Sequence, residues 1–257
     1  MTDKLAVVTG ASTGLGYQLA RLAGQNGHDL ILCADEDEIH VAADKLRSLG
    51  ITVEVMVVDL SDRSGVDTLW QAIGDREIDL FCVNAGRALG HAFADQDWAD
   101  IQRLVDLNAW QTTTMLHRMG RRMRDRGQGR ILVTGSIGGY VPGPYNAVYN
   151  ASKAYVDSLC YALQDEWKGN GVTLTCLMPG PTETPIFERD ENDLSEAPIT
   201  DNPKDDPRKV AERGYEAVMS GQRGAVPGLH NRVITMLSGV VPESVLARIH
   251  RSGAEPQ

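Results

Sequence analysis

A phenol and an ammonium stand four residues apart at Tyr149 and Lys153, and a hydroxyl, Ser136, lies thirteen residues before the phenol. If Tyr149 begins a helix, residues four apart share a face, and a cation beside a phenol lowers its pKa. The pair could then give and take a proton, with Ser136 holding the oxygen that exchanges it. Ser136 follows the apolar run Ile131-Leu132-Val133, which reads as a buried strand that delivers the hydroxyl to the same spot. Alone, the Tyr-x-x-x-Lys spacing says little, because a chain of this length and composition produces it by accident about one time in six. Its weight depends on the elements that position it.

The run Leu5-Ala6-Val7-Val8 fits a strand buried on both faces, and it ends in Thr9-Gly10-Ala11-Ser12-Thr13-Gly14-Leu15-Gly16 before a helix over 17–25. Strand, glycine-rich turn and helix together predict a dinucleotide phosphate site, where glycines admit the backbone and the helix N-terminus offers free N–H groups. Strands over 28–34, 52–58 and 78–83 then alternate with helices over 37–49 and 63–73. This alternation predicts an α/β fold, a doubly wound parallel sheet with helices on both faces, in a single domain over 1–257. Ligands in such sheets bind beyond the carboxyl ends of the strands, which places Gly10, Asp35, Asp59-Leu60, Asn84-Ala85-Gly86 and Ser136 along one rim.

Apolar positions at Ile101, Leu104, Val105, Met115, Leu116, Met119 and Met123 predict one long helix over 97–126, with Asn108 on the same stripe. The cluster Arg118, Arg121, Arg122, Arg124 and Arg126 reads as the basic end of that helix rather than a phosphate patch. A helix over 148–168 and a strand over 172–178 follow. Pro179-Gly180-Pro181-Thr182-Glu183-Thr184-Pro185 then breaks regular structure, and the acidic stretch 181–207 reads as a substrate lid. Beyond a helix over 208–219, residues 225–257 read as an extension packed on the core, with a short edge strand at 225–227 and two short amphipathic helices over 233–237 and 245–249.

A net charge of −10 with pI near 5.0 argues against nucleic acid or an anionic membrane as the main partner. Cys33, Cys82, Cys160 and Cys176 sit in apolar runs without metal-ligand spacing, and the six histidines are scattered, so no metal site is expected. No apolar run approaches membrane-spanning length and the first strand starts at Leu5, so a cytoplasmic enzyme without a signal peptide is the expectation.

With its pieces in this order, the chain resembles the single-domain branch of the short-chain dehydrogenase/reductase family, a Rossmann fold. The resemblance rests on Thr9-Gly10-x-x-x-Gly14-x-Gly16, Asp59, Asn84-Ala85-Gly86, Asn108, Ser136, Tyr149-x-x-x-Lys153 and Pro179-Gly180 followed by Thr184. It implies hydride transfer between a nicotinamide dinucleotide and a secondary alcohol or ketone, with Ser136, Tyr149, Lys153 and Asn108 as the catalytic set. In that role Tyr149 is the acid/base, and bringing its phenol near neutrality takes about 4 kcal/mol from Lys153 and the oxidised cofactor. Lys153 also binds the nicotinamide ribose, and Asn108 fixes a water that links Lys153 to solvent. The resemblance further implies that Gly10, Ser12, Thr13, Gly14, Leu15 and Gly16 hold the pyrophosphate. Asp59, Leu60 and Asn84 to Gly86 meet the adenosine, and Pro179, Gly180, Thr182 and Thr184 hold the carboxamide.

The acidic run Asp35-Glu36-Asp37-Glu38 repels a 2′-phosphate, which predicts NAD rather than NADP. The C-terminal part departs from the family's common tail and is similar to ketoacyl reductases and DltE-like oxidoreductases. A homodimer through the 97–126 and 148–168 helices, or a homotetramer, is the expected assembly, and Val141, Pro144, Tyr145 and parts of 183–200 are the expected pocket walls. The rival activities are an NADP-dependent carbonyl reductase and a dinucleotide sensor without chemistry.

Overall fold

A computed structural model describes residues 4–184 and 204–254. Strands β1 (Leu5–Thr9), β2 (Asp29–Ala34), β3 (Val53–Val57), β4 (Leu80–Val83), β5 (Gly129–Thr134), β6 (Val172–Leu177) and β7 (Gly224–Ala225) form one sheet. The order is β3-β2-β1-β4-β5-β6-β7, and every pairing is parallel. The chain first builds outward from β1 to β3, then returns to β4 on the other side of β1. A crevice therefore opens beyond the carboxyl ends of β1 and β4, where a ligand of a doubly wound sheet belongs.

The apolar runs carry no polar alternation because both faces of the sheet are covered. Ala6, Val8, Leu30, Leu32, Leu80 and Cys82 pack under α1 (Gly14–Gln25), α2 (Glu38–Arg47) and α7 (Pro207–Met219). Their immediate neighbours Val7, Ile31, Cys33, Phe81 and Val83 pack under α3 (Arg63–Ile73), α5 (Thr112–Arg126) and α6 (Ala147–Glu166). Each large aliphatic side chain sealed this way contributes about 1.5–3 kcal/mol. All four cysteines are buried and free within these layers. Among the described residues, no group of side chains is arranged to hold a metal, and no helix is long and apolar enough to cross a membrane.

The long helix expected over 97–126 runs without interruption over 98–126 but widens near its middle. α4 (Trp98–Val105) and α5 are joined by a π-helical turn, Asp106–Gln111, centred on Asn108. The cause is local: the Asn108 carboxamide is clamped to the Arg87 backbone, accepting from its N–H at 3.0 Å and donating to its carbonyl at 2.9 Å. A widened turn absorbs that tie without ending the helix. The arginines of α5 are structural. Arg118 pairs with Asp67 at 2.7 Å, Arg122 donates to the Gly74 and Arg76 carbonyls, and Arg126 donates to the Ile78 carbonyl.

The terminal helices are longer than the pattern of apolar residues indicated. α8 spans Leu229–Ser238 and α9 spans Glu243–Ala254. Most of the segment expected to be a lid, 185–203, lies outside the described residues, but its two ends are tied together. Thr182 and Asp205 form a parallel bridge, with the Glu183 N–H on the Asp205 carbonyl at 3.0 Å and the Asp205 N–H on the Pro181 carbonyl at 2.8 Å.

Candidate active site

The crevice beyond the strand ends is one cavity of about 1,220 Å³, running from the glycine turn past Ser136 and Tyr149 to α8 and α9. Its first wall is the turn between β1 and α1. Gly10 and Gly14 adopt φ of 63° and 54°, in the left-handed region that favours glycine. A Cβ on Gly16 would sit 1.9 Å from the Gly10 carbonyl oxygen and 2.6 Å from the Asn84 amide nitrogen. The first turn of α1 has no acidic residue, and the Thr13 side chain does not cap it. The N–H groups at the start of this helix therefore present partial positive charge to the cavity, as a pyrophosphate requires. Gly16→Ala should force the turn apart and weaken dinucleotide binding by at least about tenfold, in keeping with the 1–3 kcal/mol typical of overpacking. Fluorescence titration of the folded variant with NADH is the measurement, and unchanged affinity would remove the close-packed turn from the site.

Asn84 lines the cavity and also holds this region together. Its amide donates to the Thr9 and Gly10 carbonyls at 3.1 and 3.2 Å, and its carbonyl accepts from the Thr134 hydroxyl at 2.9 Å, stapling β1, β4 and β5. Ser12 donates to the Glu36 carboxylate, which lines the cavity. Asp35, Asp59 and Leu60 line the far end as expected. A residue that the sequence reading did not single out joins them. Arg103, from α4, reaches Asp59 at 2.9 Å and Asp35 at 3.3 Å with one guanidinium nitrogen. Burial alone would raise the Asp59 pKa, but hydrogen bonds from Ser61 and the Arg103 charge outweigh it and hold the carboxyl below its ordinary value. The far end thus carries three carboxylates, Asp35, Glu36 and Asp59, against one guanidinium.

The reactive end is built by the turn after β5. Ser136 caps the short 3₁₀ turn Ile137–Tyr140 by accepting from the Gly138 N–H at 3.0 Å, and its hydroxyl lies close enough to the Tyr149 phenol to lower the phenol's pKa. Asn150 pins the intervening loop by donating to the Val141 carbonyl at 3.0 Å. Tyr149 and Lys153 lie one turn apart on α6, both lining the cavity. They share one face of the helix, as the spacing indicates. The Lys153 ammonium donates to the Thr134 carbonyl at 2.9 Å and lies 5.8 Å from the centre of the Tyr149 ring, so it faces the ring and is tied elsewhere. Burial pushes the phenol pKa up, the Ser136 hydroxyl pulls it down and the Asp157 carboxylate raises it further. Burial also pushes Lys153 down, opposed by Asp157.

Asn108 stands behind this wall rather than in it. A Cβ on Gly86 would lie 3.1 Å from the Asn108 carbonyl oxygen and 3.6 Å from the Lys153 nitrogen, so the two side chains meet at Gly86. The Asn108 amide also donates to the Ser152 hydroxyl at 3.0 Å, locking α5's π turn onto α6. On the third side, Pro179, Gly180, Thr182 and Thr184 line the cavity, with the Thr182 hydroxyl on the Gly180 carbonyl at 2.9 Å. The expected pocket walls are met only in part. Val141 lines the cavity, whereas Pro144 and Tyr145 lie against α9; most of 183–200 lies outside the described residues, and α8 and α9 add further lining.

The sequence model of the short chain dehydrogenases matches residues 4–195, most of the chain. The chain belongs to the short chain dehydrogenase family. A curated relative, an uncharacterized short-chain type dehydrogenase/reductase of Sinorhizobium fredii, is 34% identical over 186 residues, covering 72% of each chain. Among solved structures, a short-chain dehydrogenase from Sphingobium yanoikuyae in complex with NADPH superposes with a TM-score of 0.81 at 25% identity, covering 94% of this chain and 97% of that one. The bulky-bulky ketone specific alcohol dehydrogenase from Comamonas testosteroni gives 0.78 at 24% identity, covering 94% and 96%, and shows the fold alone. As a short chain dehydrogenase, this protein is an oxidoreductase of alcohol or ketone substrates. The glycine turn, the uncapped helix N-terminus and the acidic far end fit a nicotinamide dinucleotide in the cavity.

Proposed function

We propose that this short chain dehydrogenase interconverts a secondary alcohol and its ketone with NAD as the redox partner. One observation carries the reading: Ser136, Tyr149 and Lys153 line the same cavity as the glycine turn. NAD held along Gly10 to Gly16, Asp35, Asp59 and Leu60, with its reactive end near Pro179, Gly180, Thr182 and Thr184, supplies the hydride acceptor.

The side chains handle the proton. In reduction, the Tyr149 hydroxyl donates to the substrate oxygen as negative charge builds there, and the Ser136 hydroxyl donates a second hydrogen bond that holds that oxygen in place. In oxidation, the Tyr149 phenolate removes the alcohol proton. Lys153 contributes positive charge one helical turn away, which offsets the cost of forming a phenolate in this buried position. Asn108 sets the position of Lys153 across Gly86 by fixing the π turn against α6.

NAD is favoured because three carboxylates face the ribose end, and an added 2′-phosphate would meet net negative charge. Arg103 favours a second reading, NADP, since it places a cation at that end, and the Sphingobium relative is in complex with NADPH. Side-by-side kinetics separate the two. The expected result is a kcat/KM at least about tenfold higher with NAD(H), the factor that 1.4 kcal/mol of charge repulsion produces. A higher value with NADP(H) would assign Arg103 to the phosphate and sink the NAD reading.

A further inference from the structure

We propose that the substrate end of the cavity is built for a large, uncharged, predominantly apolar ketone or secondary alcohol. This rests on the oxidoreductase reading and adds the substrate class to it. Opposite the Ser136 and Tyr149 hydroxyls, the wall is formed by Ile234 and Leu237 of α8, Val241 of the connection, and Leu246 and Ile249 of α9, with Val141 beside them. Ile234 also packs against the core, but Leu237 and Ile249 remain 52% and 64% exposed while lining the cavity.

Three anchors make the wall part of the site. The buried Asn231 carboxamide packs against Gly180, where a Cβ would lie 2.5 Å from its oxygen, and donates to Asp205 at 3.0 Å and to the Pro227 carbonyl at 2.7 Å. His250 lies beside the Pro144 carbonyl, and Arg251 donates to the Tyr145 hydroxyl at 3.4 Å with its guanidinium 5.8 Å from that ring's centre. α8 and α9 are thereby fixed against the loop between Ser136 and Tyr149.

Among the described residues, the charges at this end are few and offset one another in sign. Arg251 is bonded to Tyr145, and Asp205 is bonded to Asn231 with Lys204 of opposite sign next to it in the chain. Burial holds the His250 pKa below its ordinary value, with the Pro144 carbonyl opposing. A carboxylate or phosphate placed against this wall would lose its hydration without a dedicated partner, whereas hydrocarbon gains by leaving water. The volume agrees. A single drug-sized ligand fills about 300–1,000 Å³, so a cavity of about 1,220 Å³ holds a dinucleotide and leaves space for a bulky second molecule.

The test uses Tyr149→Phe enzyme with NADH, so that binding is read apart from chemistry, and titrates acetone, 2-octanone, 1-decalone and acetoacetate by calorimetry. Wild-type kcat/KM for the same ketones is measured alongside. The expected order puts 2-octanone and 1-decalone far ahead of acetone, with roughly fourfold tighter binding per buried methylene, and acetoacetate weakest. Which of the two large ketones leads distinguishes a chain-shaped from a ring-shaped ligand within the same chemistry. Leu246→Glu should lose at least about tenfold in 2-octanone affinity while NADH affinity is retained, and Leu246→Met should restore it. Tighter binding of acetone or acetoacetate, or a Leu246→Glu protein that folds and binds 2-octanone as before, overturns the proposal. If the large ketones bind as expected but wild-type enzyme turns none over, the redox reading fails while the pocket chemistry stands.

Discussion

Replacing Tyr149 with phenylalanine should lower kcat by about 10²–10⁴-fold, the range a positioned acid/base supplies, with NADH affinity largely retained. The change removes one oxygen. Ser136 keeps its cap on Gly138, Lys153 keeps its bond to Thr134, and the glycine turn is untouched, so the fold and the dinucleotide groove persist. Ser136 still offers a hydrogen bond to the substrate oxygen, but nothing beside it can carry a proton to or from that atom at the ordinary pKa of a hydroxyl. Loss of kcat without a matching loss of dinucleotide affinity therefore separates proton transfer from binding. Stopped-flow turnover and fluorescence titration on one preparation measure both. Turnover within about threefold of wild type would exclude Tyr149 as the acid/base, because such a factor is far below what the role contributes.

The parts of the site legible in the sequence share a property: their signal is local. The run into Gly10-Gly14-Gly16, the strand ends at Asp59 and Asn84, and the Tyr149–Lys153 spacing each sit within a few residues of the element that positions them. What could not be read depends on contacts between distant segments. Arg103 reaches Asp35 and Asp59 across 68 and 44 positions, and in sequence it is one more polar residue on an amphipathic helix. The same holds for α8 and α9, whose apolar residues look like ordinary core-facing stripes until the helices dock through Asn231 and Arg251. Asn108 was visible as a polar residue on an apolar stripe, yet its effect on the helix was not. A π turn follows from the pull of the Arg87 backbone, and the 3.6-residue periodicity runs through it almost undisturbed. Helical spacing brings Tyr149 and Lys153 to one face, as their four-residue separation indicates, but does not say that the ammonium takes the Thr134 carbonyl as its acceptor.

Asp157 is the residue behind the site that composition and motif do not reveal, and substituting asparagine for it should flatten the pH dependence of stability. It lies one turn beyond Lys153 on α6, where an (i, i+4) lysine–aspartate pair normally faces solvent. Here the strand–helix contact is so close that a Cβ on Gly135 would lie 1.9 Å from one carboxyl oxygen, and Asp157 is only 5% exposed. Burial pushes its pKa up to about 7, opposed by a hydrogen bond from the Cys176 thiol, the Lys153 charge and the Ser136 backbone N–H. The folded protein thus keeps this proton up to about pH 7, whereas the unfolded chain releases it near pH 4. Between those values the native state binds more protons, so this residue's contribution to stability is fully present below about pH 4 and is lost as pH rises to 7. The loss amounts to about 4 kcal/mol. Urea unfolding at a series of pH values should show wild type losing roughly that much relative to Asp157→Asn across the window, other carboxylates cancelling in the difference. Activity should move as well, since the ionised carboxylate raises the Tyr149 pKa, and its removal should shift the acid limb of alcohol oxidation to lower pH. Parallel stability curves for the two proteins would mean that Asp157 is ionised throughout and that Lys153 and Cys176 neutralise it fully. A flat difference in stability combined with a shifted rate profile would place its influence on Tyr149 alone.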